Sequence, residues 1–516
     1  MVMTKSKTLI KSAVLLGVAT ALSKILGFAV EIAVSALFGT GAVADAFILA
    51  YSIPNTLLAL LAAAIGVSFI PMYHRVDNKV KFSQNIMTCL LVIGLLFSII
   101  FTFFPNALIR LFAFQIASET FEIATFFVRY MVWSAAFILL SYVYDAHLQI
   151  SGAFFSSGIQ HIWRKVSVIL GLVLGVYFDF NLIIALAPVV GNILCLLFLA
   201  YKSYKNGYIY KPYLNIRSPE LKQVIILVAP IFLVTATSQI DTVISRNFAA
   251  SLPVGSIAHL HFSSTLAGLF IHLFGHVFVT VLFPHLSKLA SDNNIERLKN
   301  ATKNGFIYVT AIMLPLSIGV FALAEPGVRI AFERGLFTAE DTLSTAAILK
   351  MMAPYVYLST IGPIIVRAFY AVCDTKTPSI VAITQVILTI VLNFLLIGPL
   401  GARGLALATT LRAVSGVWIL FVVFRKKFGK LGLRNNLSEF IKISLATGLM
   451  GGSVLLAAHL LPLMTAPLMQ SILLCCVIIV GAMIMYGMLL LLMRSKTARE
   501  VVDIVRDYAA RKQKTA

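Results

Sequence analysis

Apolar runs of roughly 20 residues recur from one end of this chain to the other, and each is long enough to cross about 30 Å of hydrocarbon. Hydrophobic residues make up 60% of the 516 residues and charged residues only 12%, whereas about 25% is usual in a soluble protein. The pattern predicts a polytopic helical membrane protein without a sizeable water-soluble domain. The first run resembles a signal peptide, but it continues to about Phe38 without a convincing cleavage site. We therefore interpret it as a retained first span.

The apolar runs predict an all-α polytopic membrane protein with about 14 transmembrane helices. A weak internal echo links GAVADAF (41–47), at the start of the second span, to GSIAHLHF (255–262), at the start of the eighth. Two six-helix lobes, 1–204 and 205–430, followed by two further spans and a basic tail in 431–516, fit this echo, because such repeats are common in transporters. The predicted spans are 9–38, 43–70, 83–104, 123–148, 157–178, 182–201, 221–247, 255–285, 305–324, 345–372, 379–398, 403–424, 438–461 and 467–493. The longest outward loop, about 325–344, is expected to hold a short amphipathic helix.

The distribution of the 41 lysines and arginines predicts the orientation of the chain. Most of them lie in the N-terminus, in every second loop and in the C-terminal tail, which puts both termini in the cytoplasm. The net charge of +21 is thus explained by topology and does not indicate a nucleic-acid partner. Five basic residues fall within spans or at their edges: Lys24, Arg129, Lys350, Arg367 and Arg412.

Lys24 and Glu31 lie inside the first predicted span. A charge at the centre of a membrane helix costs about 2.5–3.5 kcal/mol on insertion scales, so each needs a partner or a wet cavity. Seven residues apart, they fall within about 20° of one helix face, and Gly27 between them permits close backbone approach. Asp45 follows at the mouth of the second span. Because Lys24 is too deep to reach the interface easily, we expect it to bind a ligand.

The sequence predicts no metal centre. The five cysteines show no metal-ligand spacing, and we expect them to pack as small hydrophobic residues. His272 and His276 lie one helical turn apart and could bind a metal or take up protons. No third ligand is evident, so a polar cavity wall is the favoured interpretation.

Four stretches of the chain carry a family resemblance. They are SKILGFAVEIAVSALFGTGAVADAFILAYSIPN (23–55), FPHLSKLA (283–290), FERGLFTAEDT (332–342) and RAFYAVCDTKTPSIVAITQVILTIVLNFLLIGPLGARGLALATTLRA (367–413). Together they resemble the MurJ/MviN lipid II flippases. The resemblance runs from about residue 10 to residue 430, and that family also has fourteen spans.

The resemblance implies an alternating-access transporter with the fold of the multidrug/oligosaccharidyl-lipid/polysaccharide exporters. Two lobes would enclose a cavity that opens to each side in turn, and spans thirteen and fourteen would line a groove for the prenyl tail. The substrate would be an undecaprenyl-pyrophosphate glycolipid, lipid II, moved from the cytoplasmic to the outer leaflet of a bacterial plasma (inner) membrane for cell-wall synthesis. The transporter would be a monomer without enzymatic activity.

Several cations of that family's cavity are replaced in this chain. The first falls on Lys24, which keeps the charge but loses the bidentate fork of arginine. Others fall on Val30 and Leu58, and an Asp-Arg pair of the eighth span falls on Ser264 and Thr265. The predicted substrate-binding residues are therefore Lys24, Glu31, Asp45, Thr265 and His272.

The resemblance also implies coupling to a cation, since some family members appear to bind sodium between the seventh and eleventh spans. The acid of the seventh span corresponds to Ser245, and Asp241, one turn earlier, could substitute for it. Asp374 matches the aspartate of the family's DTxTP motif. We predict these three residues as the cation-coupling site, with sodium, protons or the membrane potential as the driving force and no cofactor.

Other functions remain open at this stage. The missing arginines fit a flippase for a lipid-linked polysaccharide repeat unit, and a cation-coupled drug antiporter shares the superfamily fold. A membrane glycosyltransferase would need a sizeable aqueous loop with paired acids, usually with a metal. A non-transporting scaffold would not need Lys24 and Glu31 in the membrane.

Overall fold

The computed structural model describes residues 22–275, 289 and 295–500, and every regular element in these ranges is a helix. The first 21 residues, His276, most of the FPHLSKLA motif and the tail beyond residue 500 lie outside the described residues. The long and short helices used below are α1 (22–38), α2 (Ala42–Arg75), α3 (Lys79–Phe103), α4 (Pro105–Phe112), α5 (Ser118–Met131), α6 (Ser134–Ile150), α7 (Phe154–Tyr177), α8 (Asn181–Lys205), α9 (Pro219–Ala250), α10 (Ser256–Phe270), α11 (Ile295–Ala322), α12 (Ala324–Phe332), α13 (Ala339–Ala371), α14 (Lys376–Leu400), α15 (Ala402–Phe428), α16 (Leu437–Leu460) and α17 (Leu468–Leu492).

The helical membrane architecture predicted from the apolar runs is confirmed, and each predicted span overlaps a helix in the described part of the chain. Ten of the described helices are long and apolar enough to cross a membrane, or eleven if α5 and α6, which are bent by 45°, form one span. The predicted number of fourteen is therefore not confirmed. The short amphipathic helix expected in the outward loop corresponds to α12, which buries Val328 and Phe332.

The chain forms two compact units. The first unit comprises residues 1–258 and 334–338, and the second comprises residues 259–333 and 339–516. These units are defined by contacts between residues and not by the number of spans that each contains. The predicted domain limits, with a first lobe that ends at residue 204, stay a prediction.

In the first unit, small residues bring α7 close to α8. Gly171 and Gly175 form a GxxxG pattern on α7, the spacing that lets membrane helices approach closely. A Cβ atom at Gly171 would lie 2.1 Å from the Cβ of Ala187, and one at Gly175 would lie 2.3 Å from Cγ1 of Ile184. On the other side of the contact, Gly191 lies against the backbone of Arg164. This packing fixes the position of α7, which carries several cations.

Polar side chains fix the start of α9 in the same unit. Ser218 precedes Pro219, the first residue of the helix, and its hydroxyl accepts the Leu221 N–H at 3.3 Å. A hydroxyl cap followed by proline is a strong signal for a helix start. The Asn85 amide of α3 donates to Ser218 Oγ and to the Asn215 carbonyl, both at 3.0 Å, so the connection before α9 is tied to α3.

In the second unit, aromatic side chains join α13 to α15. The Phe369 ring lies 5.7 Å from that of Phe424 and 5.6 Å from that of Phe428, and Phe369 and Phe424 are fully buried. The Thr410 hydroxyl donates to the Met351 carbonyl at 2.7 Å. These contacts hold the end of α15 beside the turn that follows α13.

Candidate functional site

Helix α7 carries a row of basic side chains on one face. His161, Arg164 and Lys165 are spaced i, i+3 and i+4, so their side chains project from the same side of the helix. Lys165 lies eleven residues after Phe154, the first residue of α7, which is about 16 Å along the axis. The row therefore lies well inside the candidate span Phe155–Tyr177, where charges are expensive and usually functional.

Lys165 connects α7 to α1 and α2. Its ammonium Nζ lies 3.5 Å from the Tyr51 hydroxyl and 5.7 Å from the centre of the Tyr51 ring, which is within the range of a cation–π contact. Its Cε would lie 3.8 Å from a Cβ atom at Gly27. Glu31, one turn beyond Gly27, interacts electrostatically with Lys165. Three helices thus meet around this ammonium group.

Lys24 and Glu31 both face this cluster. Lys24 is exposed and interacts electrostatically with His161 of α7, while Glu31 interacts with Lys165. The structure thus brings the predicted pair of α1 to the basic row of α7, with Gly27 at the close approach. Their role in binding substrate stays a prediction.

Arg164 and Lys165 are not among the cations that the sequence was expected to place inside membrane spans. They fall within the predicted span 157–178, but a basic pair near a loop predicted to be cytoplasmic is readily counted with that loop under the positive-inside rule. The signal that would have found them is their distance from the start of the apolar run. A strict count of residues from the helix start separates them from the loop.

Asp45 is a helix cap in this structure. It is 3% exposed, and its two carboxylate oxygens accept the N–H groups of Gly255 and Ala258, each at 2.7 Å. Gly255 directly precedes α10 and Ala258 lies in its first turn, where a carboxylate also interacts favourably with the helix dipole. A Cβ atom at Gly255, whose φ is +94°, would lie 2.4 Å from the Thr40 carbonyl oxygen. Residues 255–258 therefore contact the segment around Asp45 within the first unit, and a substrate-binding role of Asp45 stays a prediction.

The predicted cation-coupling residues fall in both units. Asp241 and Ser245 are partly buried on α9 in the first unit. Next to them, Arg246 donates from Nη1 to the Ser52 hydroxyl of α2. Asp374 belongs to the second unit. Whether these residues bind one cation stays a prediction.

Asp374 caps α14 and forms an ion pair. Its carboxylate accepts the Thr377 N–H at 3.0 Å and the Thr377 hydroxyl at 2.7 Å. The Lys427 ammonium lies 2.6 Å from both Asp374 Oδ2 and Thr377 Oγ1. Burial raises the pKa of Asp374, but the bonds from Lys427 and Thr377 outweigh it and lower the pKa to about 2.

The two predicted binding residues of the eighth span lie in the second unit. Thr265 is partly buried on α10, and His272 is exposed in the π-helical turn Ile271–Gly275. Nearby on α10, His259 Nδ1 lies 2.8 Å from the Thr345 hydroxyl, and its Nε2 lies 3.9 Å from Asp341. Among the described residues, no group of three or more His, Cys, Asp or Glu side chains could hold a metal ion.

Comparison with known proteins decides the family. The family model described as lipid II flippase MurJ matches residues 34–491. The chain belongs to this family. A curated relative, the probable lipid II flippase MurJ of Rickettsia prowazekii, is 26% identical over 462 residues, which cover 88% of this chain and 91% of the relative. The corresponding protein of Vibrio cholerae is 28% identical over 446 residues, with coverages of 81% and 83%.

Solved structures agree with this assignment. A structure described as lipid II flippase MurJ in an inward closed conformation matches with a TM-score of 0.80 and 26% identity, over 95% of this chain and 100% of that chain. An inward-facing multidrug resistance MATE family transporter of the MOP superfamily matches with a TM-score of 0.69 and 16% identity, over 81% and 98%. The second likeness shows the fold alone. The exporter fold implied by the sequence resemblance is confirmed.

Proposed function

We propose that this chain is a lipid II flippase that moves the pyrophosphate-linked peptidoglycan precursor from the cytoplasmic to the outer leaflet. The observation that carries the proposal is the family match over residues 34–491. The basic row of α7 is consistent with it, because a pyrophosphate carries at least two negative charges and needs cations inside the bilayer. As an integral membrane protein of this family, the chain acts on a lipid-linked substrate.

In this proposal, Lys24, Arg164 and Lys165 bind the pyrophosphate. Arg164 can grip two phosphate oxygens with its planar fork, while the lysines act as point charges. In the unbound state the negative charge of Glu31 compensates the positive charge of Lys165. When the pyrophosphate binds Lys165, Glu31 loses this partner. The prenyl tail stays in the surrounding lipid.

The finer assignments belong to the same proposal. The protein works as a monomer in a bacterial plasma membrane, with both termini in the cytoplasm, and it has neither enzymatic activity nor a nucleic-acid partner. Transport is driven by sodium, protons or the membrane potential. Asp374 Oδ2 already pairs with the Lys427 ammonium at 2.6 Å, so a sodium ion at this carboxylate would have to compete with that ammonium.

A flippase for a lipid-linked polysaccharide unit is the second candidate. The family's cavity arginines fall on Val30 and Leu58 in this chain, and these side chains are 1% and 3% exposed. They pack inside the first unit, so α1 and α2 offer fewer cations than family members typically have. A smaller headgroup without the peptide fits that loss. The likeness to MATE transporters, at 16% identity, supports only the fold of a drug antiporter.

The first test identifies the lipid that copurifies with the protein in mild detergent, by mass spectrometry. A prenyl-pyrophosphate disaccharide bearing a peptide is expected. A prenyl-pyrophosphate sugar without peptide would favour the second candidate. The Lys24→Ala variant, inserted normally in the membrane, should lose the lipid and lose transport in proteoliposomes. Full activity of this variant would refute the role given to Lys24.

A further inference from the structure

A small polar cavity lies in the interior of the first unit, behind Arg164. It offers about 20 Å³ to a water-sized molecule. A site needs about 10–15 Å³ by this measure to hold one water molecule. Its lining includes Ser134 at the start of α6, Arg164 on α7 and Asn192 on α8. Asn192 lies eleven residues from the start of α8 and thirteen from its end, so the cavity is near the middle of that span.

Three buried polar atoms in this lining lack hydrogen-bond partners among the described residues. They are Ser134 Oγ, Arg164 Nε and Asn192 Oδ1. Ser134 and Asn192 are only 3% and 6% exposed. A buried polar atom without a partner costs free energy comparable to a lost hydrogen bond, and native proteins rarely leave three together. A ligand that bonds to all three would remove this cost.

Breaks in three helical segments meet at the same cavity. Met131 and Ser134, which flank the 45° bend between α5 and α6, line it together with Pro54 of α2 and Pro188 of α8. Each proline lacks an N–H and leaves the carbonyl four residues earlier without its helical donor. Inside a membrane, irregular backbone is tolerated where it is buried in protein or faces water. The bend and the two prolines therefore place irregular backbone beside the cavity.

The chemistry of the three atoms selects water as the ligand. Arg164 Nε can only donate a hydrogen bond, Asn192 Oδ1 can only accept one, and the Ser134 hydroxyl can do both. The orientation of the Asn192 amide is fixed, because its Nδ2 donates to the Pro188 carbonyl at 2.8 Å. An anion would be repelled by Asn192 Oδ1, and a metal cation would be repelled by the Arg164 guanidinium. One water molecule can accept from Arg164 and donate to Asn192.

We propose that this cavity is an internal water site that holds the Arg164 guanidinium in place between α6, α7 and α8. Water adds no further negative charge beside Arg164, which already interacts electrostatically with Asp145, so the guanidinium stays available to an anion. Ser134 and Asn192 are positioning residues that act on the substrate through the water and Arg164. The role in transport rests on the proposed function, whereas the water site itself does not.

The direct test is a structure of the full-length protein at a resolution that reveals ordered water. We expect density within hydrogen-bond distance of Arg164 Nε and Asn192 Oδ1. A dry cavity would overturn the proposal. So would an anomalous signal in the cavity after soaking with bromide, because it would identify an anion site. This measurement stands even if lipid II is not the substrate.

The functional test uses Asn192→Leu, which removes the acceptor and fills the cavity with an apolar side chain. Without water, Arg164 loses its fixed position, so the KM for lipid II should rise about tenfold in proteoliposomes, with little change in kcat. Ser134→Ala should raise the KM less. The control is Thr447→Val in the second unit, which removes another buried hydroxyl and should leave the KM unchanged. An Asn192→Leu variant with higher thermal stability and unchanged KM would contradict the proposal.

Discussion

Lys165 of α7 contacts residues of two other helices in the first unit. It lies beside Tyr51 of α2, approaches Gly27 of α1 and interacts electrostatically with Glu31 of α1. Lys165→Gln keeps a polar side chain of similar length but removes the charge. We expect lipid II transport to fall about tenfold or more, since a hydrogen bond to a charged group contributes about 1.5–3 kcal/mol. Flipping of fluorescent lipid II in proteoliposomes measures this. Lys205→Gln is the matched control, because Lys205 lies over the Tyr201 ring at the C-terminal end of α8. Equal rates for both variants would contradict the role of Lys165.

Asp374, in the turn before α14, gives the protein a stability that depends on pH. Its pKa in the folded protein is about 2, below the ordinary value of 3.8. A carboxyl with a lowered folded pKa stabilises the protein above its unfolded pKa, and this contribution is lost as the pH falls through the folded value. We expect the difference in Tm between the wild type and Asp374→Asn to be constant above about pH 5 and to shrink between pH 4 and 2. Thermal unfolding in detergent measures it.

The control for that experiment is Asp77→Asn, in the exposed turn between α2 and α3. Its Tm difference from the wild type should stay small across the same pH range. Because Lys427 is half-exposed, salt should weaken the contribution of the Asp374 ion pair. A Tm difference for Asp374→Asn that grows as the pH falls would have the wrong sign for the ion pair described here.

At the scale of elements, the short segment 334–338 packs on α1 within the first unit. The Leu336 N–H donates to the Ala36 carbonyl at 2.8 Å. Gly335 has a φ of +60°, and a Cβ atom there would lie 2.1 Å from the Ala36 oxygen. Gly335→Ala should therefore destabilise the protein by at least about 1 kcal/mol, since alanine is strained in this conformation and collides with the backbone. Gly448→Ala on α16 is the control, because a Cβ atom at this position would meet nothing within 4 Å beyond its own helix backbone. Equal Tm values for the two variants would show that the loop does not need glycine.

The sequence predicts elements better than it predicts contacts between them. Apolar length alone gave the helices, because a membrane span must satisfy its own backbone. Asp45 shows the limit, since its partners Gly255 and Ala258 lie 210 and 213 residues away. No local pattern reveals that a carboxylate predicted to bind substrate will cap a distant helix. Arg164 shows a second limit, because only the packing of α7 on α8 determines which side of the helix meets the interior.

At the scale of the whole molecule, the family and the exporter fold were accessible from long motifs, whereas the driving force was not. Motifs record the positions that specify turns, caps and close packing. The coupling ion depends on distances between side chains on separate helices, such as Asp241 and Asp374. The two residues lie in different units. An experiment on the intact transporter is needed to determine the driving force.

The charge of the substrate predicts how the membrane potential acts on the transporter. When a pyrophosphate moves outward across an inside-negative membrane, its electrostatic free energy falls by about 2.3 kcal/mol per negative charge at 100 mV. The cations that bind it, such as Lys24 and Lys165, stay with the protein, so the substrate charge is the one that crosses. We therefore expect an inside-negative potential to speed lipid II export in proteoliposomes and the opposite polarity to slow it, with potassium and valinomycin setting the voltage. Sodium and pH gradients, applied one at a time, test Asp241 and Asp374 in the same preparation. Transport at an unchanged rate with all three gradients collapsed would refute coupling altogether.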